Sequence, residues 1–186
     1  MLIFLEAEKH MNEIKIRNAT SADAERLLEI YAYYVEHTAI TFEYDVPTLE
    51  EFKTRIQTTL AQFPYLCLVS GENIVGYAYA GIFHEREAYK HSVELSIYID
   101  KNEKKHGFGR ALYTALEREL QERGIYNLYA CIAYPGSDED EYLTKDSVRF
   151  HERLGFSVVG RFTKCGRKFN RWYDMVYMEK LIGSRN

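Results

Sequence analysis

The sequence predicts an α/β (α+β) domain, a mixed, mostly antiparallel central sheet of about six or seven strands with helices on both faces. Three observations predict it. Runs of period-2 apolar alternation and faces of period-3.6 apolar spacing interleave in the order β-α-α-β-β-β-α-β-α-β-β. Gly71-Glu72-Asn73 between two apolar runs is a hairpin signal. The alternating run Val93–Ile99 passes through a short charged loop, closed by Gly107-Phe108-Gly109, into an amphipathic helix.

The elements follow in order. Ile14–Arg17 reads as the first strand. Thr20-Ser21-Ala22-Asp23 has the form of a capping box, and Leu27, Ile30, Tyr31, Tyr34 and Val35 then recur at helical spacing. An irregular segment fills Glu36 to Pro47. A second capping box, Thr48-x-x-Glu51, opens a helix with Phe52, Ile56 and Leu60 inward, which Pro64 closes. Tyr65–Ser70 and Ile74–Ala80 are the hairpin strands, and Gly81–His91 is a loop rich in charge and aromatics. From Gly107 to Arg123 one face carries Phe108, Ala111, Leu112, Ala115, Leu116 and Leu120, with Gly124 as the C-cap. Tyr126–Tyr134 is a strand, and Pro135–Glu141 an acidic, turn-rich loop. A short helix from Leu143 or Thr144 to Leu154 ends at Gly155, and Phe156–Phe162 and Trp172–Glu179 are the closing strands. Organised sequence begins just after Met11, so residues 1–11 read as an N-terminal extension and 12–186 as a single domain.

Composition narrows the function. The 186 residues are 46% hydrophobic and 28% charged, ordinary for a soluble globular protein, and carry a formal net charge of −4. No global basic field points to nucleic acid. MLIFLEAEKH has neither the length nor the flanking charge of a signal peptide or membrane span, so the chain is expected in the cytoplasm without a membrane partner. Cys67, Cys131 and Cys165 are far apart and lack CxxC spacing, which predicts buried reduced thiols. No His/Cys/Asp/Glu cluster has ligand spacing, and no metal is expected.

The glycine loop carries the chemistry. The first backbone N–H groups of a helix lack intrahelical partners and the dipole favours an anion there. Glycines remove the Cβ atoms that would hold a phosphate off the backbone. Lys101, Lys104, Lys105, His106 and Arg110 supply local positive charge to an otherwise acidic chain. Taken alone, the loop also fits an ordinary βα turn. GxxxxGK[ST] is absent and no third glycine completes GxGxxG, which argues against a nucleotide-binding module. On the strand before it, Val93, Leu95, Ile97 and Ile99 share one face and Glu94, Ser96 and Tyr98 the other. An acid amid apolar neighbours in mid-strand needs a partner or a raised pKa.

This element order and loop resemble the GNAT acetyltransferase superfamily, whose acyl-CoA motif reads here as Lys104-Lys105-His106-Gly107-Phe108-Gly109. Lys104 stands where the superfamily has Arg or Gln, keeping charge but losing the guanidinium fork. The match is closer to the phosphinothricin acetyltransferase branch and spans nearly the whole chain. It rests on Val93–Ile99, on Ala78–Gly81 followed by Arg86 and Ala88-Tyr89, on Ser147–Phe156, and on Gly166–Asp174 with its Gly, Lys, Trp and Asp. Thr144 replaces the branch's usual Asn and GSDEDEYLT lengthens the preceding loop, which implies a reshaped acceptor pocket.

The resemblance implies an acetyl-CoA-dependent N-acetyltransferase of a small primary amine, an amino acid or analogue such as phosphinothricin or methionine sulfoximine or sulfone. Transfer would be direct, in a ternary complex, by a homodimer. Cofactor contacts would come from Ile97, Tyr98 and Ile99 along the pantetheine. Lys104, Lys105, His106, Gly107, Phe108, Gly109 and Arg110 would hold the pyrophosphate, and Thr144 and Ser147 would add cofactor contacts, Thr144 toward the thiol end. Glu94 would be the base for the substrate ammonium, or a satisfied structural carboxylate. His151 would be the acid for the departing thiolate, or a packed residue. Phe42, Glu43, Arg86 and Tyr89 would meet the acceptor, Arg86 through a bidentate pair with its acid group. Two other readings stay open. One is a protein or peptide acetylase drawn to basic segments by Asp138–Glu141. The other is a non-catalytic acyl-CoA sensor, favoured if a salt bridge locks Glu94.

Overall fold

The computed structural model describes residues 14–103 and 106–183. The extension read at residues 1–11, and Lys104 and Lys105, lie outside the described residues. Seven strands, β1 (Ile14–Asn18), β2 (Tyr65–Ser70), β3 (Asn73–Ile82), β4 (Ser92–Ile99), β5 (Asn127–Tyr134), β6 (Ser157–Lys168) and β7 (Arg171–Leu181), make one sheet in the order β1-β2-β3-β4-β5-β7-β6. β4 and β5 run parallel, whereas β1–β2, β2–β3, β5–β7 and β6–β7 are antiparallel. The helices are α1 (Ala24–His37), α2 (Leu49–Leu60), α3 (Phe108–Glu122) and α4 (Asp146–Arg153). The mixed, mostly antiparallel sheet is the predicted one.

The chain packs as two compact units. The first takes in the described residues up to Ile30, Thr48–Ala80 and Ser96–Glu119. Its helix starts are held as the capping boxes predict: Thr20 N–H donates to the Asp23 carboxylate at 2.8 Å, and Thr48 N–H to Glu51 at 2.8 Å. A 3-10 turn, Ser21–Asp23, precedes α1. Leu27, Ile56, Leu66, Leu68, Tyr77, Leu112 and Leu116 are fully buried in this unit. Gly76 lets β3 approach the end of β4: a Cβ there would meet Ile99 Cδ1 at 2.5 Å and Tyr98 O at 3.1 Å. Asp100 N–H continues this contact, donating to Val75 O at 2.8 Å.

The second unit comprises Tyr31–Pro47, Gly81–Leu95 and the described residues from Leu120 on. Val93, Leu95, Leu128, Val176 and Met178 are buried there, which confirms the face assigned to Val93 and Leu95. Gly124, at φ +75°, ends α3 as predicted, and Ile125 N–H donates back to Leu120 O at 3.0 Å.

Three expectations need correction. The Gly81–His91 loop contains a 3-10 turn, Glu87–Tyr89. The closing strands are longer than read, because β6 runs on past Phe162 to Lys168. Register shifts at Val158/Gly160 and Phe162/Gly166 break the alternation that sequence periodicity detects. Lys164 sits at φ +49° in the second irregularity and donates its N–H to Asp174 at 2.7 Å. Asp174 is buried and also receives Arg161, so the terminal Asp of the quoted motif holds a bulge. Finally, Cys67 is buried, but Cys131 and Cys165 are exposed.

Candidate active site

In the first unit, α3 begins at Phe108, directly after Gly107, whose φ of +79° belongs to the left-handed region. A Cβ on Gly107 would meet nothing within 4 Å, so the space over this helix start is open. Gly107 O accepts Ala111 N–H at 3.1 Å, and Phe108 is buried with the His106 ring stacked 5.4 Å away. A cavity of about 560 Å³ lies alongside, lined by Ile14, His106, Arg110, Ala111, Ala115 and Arg118 among others. The first-turn N–H groups of a helix lack intrahelical partners, and with an open glycine and cations beside an apolar wall they suit a phosphate-bearing ligand with an apolar part. Ile97, Tyr98 and Ile99 close β4 on the same unit, all partly accessible. The parallel ladder of β4 with β5 pairs Ser92 with Asn127, Val93 with Leu128 and Glu94 with Tyr129, and β4 then runs on to Ile99.

The second unit holds Glu94, half-buried within an aromatic group. Tyr177 O–H donates to Glu94 Oε2 at 3.3 Å. Phe83 stacks on Tyr129 at 4.1 Å and meets Tyr177 edge-on at 6.3 Å, while His84 and Tyr89 pack at 4.9 Å. Burial pushes the Glu94 carboxyl above its ordinary value, against the opposing pull of the Tyr177 hydroxyl and of His84. Burial, and the Glu94 charge after it, push the Tyr177 hydroxyl up to about 12. The result is a carboxylate with a raised pKa in a pocket of ring faces, next to a neutral hydroxyl donor. Sequence reading found Glu94 and Tyr89 here but missed Tyr177, Phe83, His84 and Tyr129. The sign was available: Glu94, Tyr129 and Tyr177 occupy alternate positions that register on one sheet face.

The other acceptor residues divide. Phe42 and Glu43 are half-buried on the Thr41–Tyr44 loop, which is bound to the β6–β7 hairpin. Arg86 is exposed at the head of the 3-10 turn. Thr144 precedes α4 and its hydroxyl accepts Asp146 N–H at 3.3 Å. Ser147 O accepts His151 Nδ1–H at 2.7 Å. His151 itself is 3% exposed, edge-on to Phe150 and Phe156 at 5.2 Å each. Burial lowers it to about 4, so the imidazole is neutral at pH 7.

The acidic insertion is not a free negative surface. Asp140 accepts N–H groups of Tyr142 and Leu143 and the Tyr173 hydroxyl, and it pairs with Arg171 at 3.0 Å. Glu141 pairs with Arg171 at 2.8 Å, and Glu139 with Arg149 at 3.0 Å.

Comparison with known proteins supplies the frame. The family model for an acetyltransferase (GNAT) domain matches residues 16–177. A phosphinothricin N-acetyltransferase of Streptomyces coelicolor is 31% identical, over 90% of this chain and 96% of its own length. An L-methionine sulfoximine/L-methionine sulfone acetyltransferase of Salmonella typhimurium is 32% identical, over 88% and 92%. A phosphinothricin acetyltransferase from Sinorhizobium meliloti, solved in complex with acetyl-CoA, superposes with a TM-score of 0.83 at 29% identity, covering 92% of this chain and 89% of that one. With its fold, its glycine-started helix and these relatives, the chain belongs to the GNAT acetyltransferase family, in the phosphinothricin acetyltransferase-like branch, and is an enzyme of the acetyltransferase class.

Proposed function

We propose that the enzyme transfers the acetyl group of acetyl-CoA to the primary amine of a small molecule, an amino acid or analogue of the phosphinothricin or methionine sulfoximine type. The observation that carries this is Glu94, a half-buried carboxylate with a raised pKa, facing aromatic rings and one hydroxyl. The acetyltransferase relatives named above support the choice of a small amine.

Bound acetyl-CoA supplies an activated acetyl thioester. The open helix start at Gly107 and the cavity beside it, lined by His106 and Arg110, suit its pyrophosphate, and Lys104 and Lys105 precede them in the sequence. The backbone of Ile97–Ile99 would hold the pantetheine by strand-like pairing. Ionised Glu94 removes a proton from the substrate ammonium, directly or through water. The freed amine attacks the thioester carbonyl, the C–S bond breaks, and the surplus N–H proton of the attacking nitrogen passes to the departing thiolate, so that an amide and CoA thiol leave. A base whose pKa is raised toward the working pH suits this step. Arg86 and Tyr89 receive the acid group and side chain of the acceptor.

His151 fits less well as the acid for the thiolate. Its Nδ1–H is committed to Ser147 O, and the ring gains a further proton only near pH 4. One pH–rate series tests both groups. Wild-type kcat/KM falls as acidification protonates Glu94, and Tyr177→Phe moves that limb to higher pH, since the lost hydrogen bond had lowered the carboxyl pKa. His151→Ala keeps the profile and loses melting temperature. A profile unchanged in Tyr177→Phe, or an alkaline limb lost in His151→Ala, would reverse the respective assignment.

The peptide reading is weakened by the insertion's own ion pairs, and the sensor reading by Glu94's bonding to a neutral phenol. We also place the enzyme in the cytoplasm as a homodimer. Among the described residues no helix is long and apolar enough to cross a membrane. Val158, Val159, Phe162 and Trp172 expose apolar surface on β6 and β7, as a subunit contact would. Sedimentation at micromolar concentration should give twice the chain mass. For the activity, CoA thiol release is compared across amino acid analogues, polyamines and basic peptides. The fastest release is expected with the analogues; release with peptides alone would transfer the function to protein acetylation.

A further inference from the structure

Lys168 is only 2% exposed, and few lysines are so buried without a task. Its Nζ donates to Thr41 O at 2.8 Å and lies 5.2 Å from the centre of the Phe169 ring. Two more contacts join the same hairpin end to the same loop. Gly166 lies flat under Phe42, where a Cβ would meet the ring at 2.3 Å. Tyr44 O–H donates to Arg167 O. Three consecutive residues of β6 thus hold three residues of one loop, and the loop's Thr41 hydroxyl is itself 2.9 Å from Tyr31 OH. Glu43, between Phe42 and Tyr44, acts on Lys168 through its charge.

We propose that Lys168 is a positioning residue for the acceptor: its ammonium fixes the Thr41–Tyr44 loop and so presents Phe42 and Glu43 to the incoming amine. This rests on the reading of Phe42 and Glu43 as acceptor residues. A buried hydrophobe could fill the same volume, but only a cation attracts Glu43 while it donates to Thr41 O. Burial lowers Lys168 to about 8, opposed by Glu43. The charge is therefore present below that pH and lost above it, inside the range of a kinetic assay. The neutral amine keeps a hydrogen bond to Thr41 O but no longer pulls on Glu43.

The test uses the full chain with Lys168→Met and Lys168→Arg. Hydrogen–deuterium exchange over residues 38–47 and the KM values for amine and acetyl-CoA are read across pH 7–9.5. The expected result is faster exchange in Lys168→Met and an acceptor KM raised about tenfold, with acetyl-CoA KM unchanged. Wild-type acceptor KM should climb more steeply above pH 8 than that of Lys168→Arg, whose guanidinium stays charged, so titration of the substrate's own amine is cancelled. Unchanged exchange in Lys168→Met would overturn the clamp. Faster exchange with an unmoved acceptor KM would overturn its role toward the acceptor. If wild type acetylates none of the amines, it is the function that fails, and exchange still reports on the clamp by itself.

Discussion

Glu94→Gln should lower turnover by about 10²–10⁴-fold, the usual worth of a positioned general base, and leave acetyl-CoA affinity unchanged. The substitution keeps the volume of the side chain and a group able to bond Tyr177 O–H, so the pocket remains packed. It removes the one property the proposed step uses, a lone pair basic enough to take the ammonium proton. The split between turnover and cofactor affinity matters, because a structural carboxylate would lose stability instead. Stopped-flow turnover beside calorimetric acetyl-CoA binding checks it. Turnover within threefold of wild type would take Glu94 out of the mechanism.

The second large effect is expected at the other end of the reaction. Gly107→Val places a β-branched residue at φ +79° and fills the open space over the start of α3. A left-handed backbone alone costs a side-chain-bearing residue roughly 1–2 kcal/mol, and β-branching adds to this. The acetyl-CoA KM should rise about tenfold or more, with a fall of a few degrees in melting temperature. Because nothing stands within 4 Å of the added Cβ, its attachment point is unobstructed, and a loss of acetyl-CoA binding larger than the strain accounts for reports on the ligand. An unaltered acetyl-CoA KM in a folded variant would move the pyrophosphate away from this helix.

What could be read from the sequence follows from how local each signal is. The capping boxes at Thr20 and Thr48, the hairpin at Gly71 and the glycine-closed helix start use residues within a few positions, and all four formed as expected. Glu94 stood out because a charge interrupts a period-2 apolar run. Tyr177 did not, since a tyrosine in a strand is unremarkable until register sets it near a carboxylate 83 residues away. β6 extends beyond its period-2 signal because its bulge depends on Asp174, which captures the Lys164 N–H across the hairpin. The Lys168 clamp spans 127 residues of sequence, so no local pattern contains it. The pairing of the acidic insertion is equally non-local: as sequence it is a charge run, and in the fold Arg149 and Arg171 neutralise much of it.

The most direct measurement of the central claim is product mass after incubating the purified protein with acetyl-CoA and methionine sulfone or phosphinothricin. The proposed reaction predicts the N-acetylated amino acid analogue in amounts equal to the CoA released, with the protein itself unmodified. CoA release without an acetylated small amine, or acetyl groups recovered only on peptide or protein, would contradict it.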